Sequence, residues 1–158
     1  NDGKNHVMLI HPSQKKFDHK EVEKKVNLIL ENWLNSSEQD HSENGYRKLS
    51  EYLKYGYNEL SRTVDDMPEF QLILDNINDQ LNDSRVLVVN SDKNTDIDYY
   101  KTRNIIIVGG NLVERGLTIN DLAVTYIVRR SKSRANADVV EQRARWFGYR
   151  KKYFGIDF

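Results

Sequence analysis

The sequence predicts an α/β fold with a mainly parallel sheet flanked by helices. Four short apolar runs, Val7–Ile10, Val86–Val89, Ile105–Val108 and Val124–Val128, are rich in β-branched residues and barely alternate with polar ones. Strands covered on both faces read this way. Three stretches of helical periodicity lie between the first two runs. The chain has 158 residues, 38% of them hydrophobic, which suits one domain with one core.

The elements follow in order. After the strand Val7–Ile10, residues Val22, Val26, Ile29, Leu30, Trp33 and Leu34 form an apolar stripe beyond Asp18, as on one face of a helix. The polar stretch Asn35–Asp40 reads as a loop. A second stripe is Tyr46, Leu49, Leu53, Tyr57 and Leu60. A third, Phe70, Ile73, Leu74, Ile77 and Leu81, follows Pro68, a residue suited to a helix start. One crossover helix suffices to join parallel strands, so three imply a helical insertion over about residues 37–83. Tyr46, Tyr52, Tyr55 and Tyr57 are assigned to packing ahead of base stacking. No internal repeat occurs.

Composition excludes several classes. With 24 basic and 24 acidic side chains the chain is not a uniformly basic nucleic-acid binder. No apolar run approaches the roughly 20 residues of a membrane helix, and the given residues do not open on a basic stretch followed by an apolar one. The lack of cysteine excludes disulfides and thiolate metal sites and suits a reducing, cytoplasmic setting. The sequence starts and stops without caps or tails, so residues 1–158 read as a single domain excised from a longer protein.

Charge is unevenly spread. Residues 13–84 carry nine basic and fifteen acidic side chains, a net of −6, whereas residues 129–152 carry nine basic and two acidic ones, a net of +7. Such runs are commonly solvated helix faces. Six of the nine basic residues in the second stretch are Arg, whose fork suits phosphate recognition.

Two segments carry chemical information. Gly109 and Gly110 directly follow the third strand and open the segment Asn111-Leu112-Val113-Glu114-Arg115-Gly116-Leu117-Thr118-Ile119. Glycines there allow a sharp turn and close approach of a ligand to the backbone, and carboxyl ends of strands are where open α/β sheets bind ligands. Taken alone, the two glycines fit a tight strand-to-helix turn better than a ligand site. In the second segment, Asp138 and Glu141 have capping-box spacing, and Gln142 and Arg145 share one helix face. Trp146 and Phe147 can anchor the helix end, Gly148 ends or kinks it, and Arg150 follows. Two arginines held this way can clamp a triphosphate. A surface helix with Glu141 paired to Arg145 is the competing reading.

Together the two segments resemble motifs V and VI of the second RecA-like domain of superfamily II helicases and translocases, and the strand with His11-Pro12-Ser13 resembles motif IV. More closely, the pairing of Gly109-Gly110-Asn111 and Arg115-Gly116-Leu117-Thr118 with Arg145-Trp146-Phe147-Gly148-Tyr149-Arg150 is similar to the prokaryotic "Z-one" endonuclease-domain family, which is found fused to such helicase modules. Ala144 stands where motif VI usually has glycine, and Thr118 where an acid is common. The gap from Arg145 to Arg150 is also longer than the superfamily spacing.

The resemblance implies a RecA-like three-layer sandwich that forms half of an ATP-driven motor. ATP with magnesium is held mainly by a first lobe; this chain has no P-loop. Arg145 and Arg150 are the implied arginine fingers, with Gln142 orienting them or the attacking water. Gly110, Asn111, Arg115, Gly116 and Thr118 are the implied link between nucleotide and nucleic acid. Ser13, Gln14, Ser91, Arg129, Arg130 and Arg134 are the implied contacts to DNA, or to RNA.

Two other classes compete. A metal-dependent nuclease needs clustered carboxylates; the candidates are Asp96 with Asp98, Asp65 with Asp66, and Glu21 with Glu23 beside Lys24 and Lys25. His6, His11, His19 and His41 lack metal-ligand spacing. In a non-catalytic interaction module, the acidic helical insertion docks a basic partner.

Overall fold

The computed structural model describes residues 5–13, 15–89, 102–109, 119 and 121–128. Four strands and three helices follow one another along the chain: β1 (His6–His11), α1 (Lys16–Ser37), α2 (Asn44–Leu60), α3 (Phe70–Asn82), β2 (Ser84–Val89), β3 (Asn104–Gly109) and β4 (Leu122–Ile127). The strands form one sheet in the order β2-β3-β1-β4, and β1 pairs in parallel with both β3 and β4. The fold is α/β with a parallel sheet.

The chain divides into two compact units, one of residues Asn1–Lys25 and Arg85–Phe158, the other of Val26–Ser84. In the first, the core is the sheet. Leu9 lies between Ile107 of β3 and Thr125 of β4, and both Leu9 and Ile107 are fully buried. Val7, Val89, Ile105, Ile119 and Leu122 complete this core, with Leu87 and Ile127 packed against it. Burying each such side chain contributes about 1.5–3 kcal/mol, so the β-branched runs that set strand propensity also supply the folding force.

At β4 the expectation of strands covered on both faces fails. Val124 and Tyr126 are 51% and 58% exposed. β4 borders only β1 among the described strands, and an apolar run alone does not separate a central strand from an outer one. The register shifts between Val7 and Met8, so that Ala123 is skipped where Val7 faces Leu122 and Met8 faces Val124. Asp121, just before β4, adopts a left-handed φ of 60°, a conformation that Asp tolerates better than most residues.

In the second unit the helices pack sparingly. Leu49 is the one buried residue of α2, and α3 has none. Tyr57 and Phe70 meet at 5.4 Å between ring centroids, Lys54 Nζ lies 4.9 Å and 4.4 Å from the two rings, and Tyr57 Oη donates to the Pro68 carbonyl at 2.9 Å. Asn78 Nδ2 donates to Ser37 Oγ at 3.1 Å, tying α3 to the end of α1. Between α1 and α2, Asp40 Oδ1 accepts from the Ser42 hydroxyl and amide; these bonds, the hydroxyl's first, hold its carboxyl below the usual range.

Two expectations are corrected here. Asn35, Ser36 and Ser37 belong to α1, and the loop starts at Glu38. Ser36 Oγ donates to the Asn32 carbonyl and Ser37 Oγ to that of Leu34, so their hydroxyls turn back onto the helix rather than breaking it. Tyr52 and Tyr55 are not core: they are 67% and 71% exposed, whereas Tyr46 stacks on His41 at 4.2 Å.

Candidate functional site

The strand order locates one edge of the sheet as special. From β1 the chain travels past β3 to reach β2; from β3 it travels past β1 to reach β4. Adjacent parallel strands thus send their onward connections in opposite directions. At such a switch point, the carboxyl ends of an open α/β sheet bind ligands. Here those ends are His11 of β1 and Gly109 of β3, one residue beyond the registered pair Ile10 and Val108.

His11 is 1% exposed and Gly109 is buried. The Val128 amide donates to the His11 carbonyl at 3.1 Å, so the exit of β4 is fastened to that of β1. A glycine as the last residue of β3 leaves the main chain open to close approach.

Beyond His11 the chain turns through Pro12 into Ser13. Ser13 Oγ donates to Asp18 Oδ2 at 2.5 Å and accepts from the Lys15 amide at 2.9 Å. His19, 3% exposed, has Nε2 2.8 Å from the Ser13 carbonyl oxygen. These bonds fix the entry into α1: Ser13 Oγ satisfies the Lys15 amide just before the helix, and the first-turn acid Asp18 holds that hydroxyl in place. His19 reaches the main chain of Ser13 and not its hydroxyl, so the group is a helix-entry clasp rather than a nucleophile with its base.

Of the residues proposed from the sequence, Ser13 is at this edge, its hydroxyl proton directed to Asp18. Gln14, Ser91, Gly110, Asn111, Arg115, Gly116, Thr118, Arg129, Arg130, Arg134, Gln142, Arg145 and Arg150 lie outside the described residues, as do Asp96, Asp98 and the pair Asp138 and Glu141. The segment from Gly110 begins one residue after β3 ends. Sequence reasoning did not single out Asp18 and His19 as partners of Ser13; their spacing of five and six residues from it, across a helix start, was the available signal.

Among the described residues, the carboxylates considered for a metal site do not converge. Asp65 and Asp66 are exposed in the connection between α2 and α3, and Glu21 pairs with Lys24 at 3.3 Å on the surface of α1. Among the described residues no group of three or more His, Asp or Glu could hold a metal ion. Among the same residues no helix is long and apolar enough to cross a membrane.

Comparison with curated proteins and with solved structures finds no match. The family model described as Z1 domain matches residues 1–156, nearly the whole chain, and the protein belongs to the Z1 domain family.

Proposed function

We propose that the chain is the second RecA-like lobe of a superfamily II helicase or translocase and completes a nucleic-acid-stimulated ATPase. What supports this reading is the switch point. β1 and β3 end side by side; the motif-IV-like Ser13 follows the first of these ends, and in the sequence the motif-V-like residues 110–119 follow the second. The motif-VI-like Gln142, Arg145 and Arg150 come to the proposal from the sequence resemblance.

ATP with magnesium, held mainly by the first lobe of the full-length protein, supplies the phosphoryl group. This chain's part is electrostatic. Arg145 and Arg150 direct fixed guanidinium charge at the phosphates, and Gln142 orients them or the attacking water. Gly110, Asn111, Arg115, Gly116 and Thr118 link that contact to the backbone of DNA, or of RNA. Ser13, Gln14, Ser91, Arg129, Arg130 and Arg134 hold the strand through phosphate contacts that carry no sequence information. The setting is the cytoplasm, in keeping with a chain that has no cysteine.

The test is DNA-stimulated ATP hydrolysis by the full-length protein. Arg145→Ala lowers turnover at least about a hundredfold while DNA affinity is kept. Near-normal turnover removes Arg145 from the mechanism.

A further inference from the structure

We infer that the outward face of α2 is a homotypic docking surface, on which a second copy of this chain lays its own α2 antiparallel. The inference is independent of the nucleotide reading above. It begins with four exposed residues, Lys48, Tyr52, Tyr55 and Glu59. Their spacing of four, three and four positions is that of the contact seam of paired helices, and it keeps all four on one stripe. The stripe is distinct from the face on which Leu49, 3% exposed, packs inward.

Among the described residues, Glu59 at one end of this face pairs with Arg62 at 3.0 Å, and nothing there accounts for the two tyrosines. Tyr52 and Tyr55 stand 67% and 71% exposed, although large aromatic side chains are what interfaces bury. Gly56 lies within the unbroken helix, between this stripe and Leu49, and a Cβ built there would meet nothing within 4 Å. A glycine in mid-helix weakens it, and no close neighbour requires one here.

The order of residues along the stripe selects a second copy as occupant. If two α2 helices cross antiparallel about a two-fold axis between Leu53 and Lys54, Lys48 comes opposite the other copy's Glu59, and Tyr52 opposite its Tyr55. Each pair occurs twice, as a two-fold interface demands. Charge supports this register. The unit Val26–Ser84 carries twelve acidic against four basic side chains, but α2 itself has three basic and two acidic ones. The acidity therefore lies mainly off α2, whose stripe has one charge of each sign.

One helix per copy makes an interface below about 1,200 Å², the size of transient contacts. Sedimentation equilibrium of the full chain therefore detects a dimer with a dissociation constant of about 10–100 μM. Lys48→Glu alone, or Glu59→Lys alone, sets like charges against each other at both symmetric positions and weakens association about tenfold. The double variant restores the opposite-charge pairs and returns the constant to within about threefold of the parent. Because all four residues are exposed, circular dichroism of each variant matches the parent.

A chain that stays monomeric up to about 200 μM overturns the proposal. So does a double variant no tighter than the single ones, the pattern expected of a different, basic partner. A tyrosine-dependent affinity for a single-stranded oligonucleotide, without self-association, also overturns it.

Discussion

The sheet and the helical unit are built from similar apolar residues but bury them to different depths. Leu9, Ile107 and Val108 have no exposed surface, and seven residues join in one core under the strands. In α2 and α3 only Leu49 is buried, and Leu60 and Leu72 are more than half exposed. A parallel strand between two neighbours is covered by its pairing partners and by whatever packs on the sheet. A helix buries only the stripe turned toward another element. The sheet is therefore the stable frame that holds the candidate site, and the helical unit offers surface.

The widest contrast should appear in the core of the sheet. Ile107→Ala is expected to cost about 3–4 kcal/mol by urea denaturation, through lost burial and the cavity left behind. Leu72→Ala, at a site 55% exposed, should change stability by less than about 0.5 kcal/mol. Similar losses at the two sites would break the contrast between the units.

A smaller effect of opposite sign sharpens the comparison within α2. Gly56→Ala, in dilute protein, should raise stability by about 0.5–1 kcal/mol, because alanine favours the helix and nothing stands in its way. At Gly45 an added Cβ would collide with the Gln39 side chain, which must swing aside, so Gly45→Ala should gain less. An equal or larger gain at Gly45 would show that the space around the two glycines does not control the outcome.

The strands were legible because β-branched runs such as Ile105–Val108 admit few alternatives, and the apolar stripe of α3 matched its helix. The end of α1 was not legible from residue type. Asn35, Ser36 and Ser37 favour loops by propensity, yet the two serine hydroxyls turn back onto carbonyls of the same helix. Tyr52 and Tyr55 misled for a different reason. They belong to the same helix as Leu49 but to another stripe, and tyrosine serves core and surface alike. At the candidate site, the sequence puts Ser13 just after a strand, and it lies there, whereas its partners Asp18 and His19 follow only from how the chain turns into α1. The arginines of residues 129–150 were readable only as a motif and a charge excess, which name a chemistry without a geometry.

In the proposed function a guanidinium fork of this chain acts on a nucleotide, and Arg145→Lys keeps the charge while removing the fork. DNA-stimulated ATP turnover of the full-length protein carrying Arg145→Lys should fall at least about a hundredfold, because an ammonium cannot reproduce the planar bidentate contact. Turnover within about threefold of the parent would contradict the account.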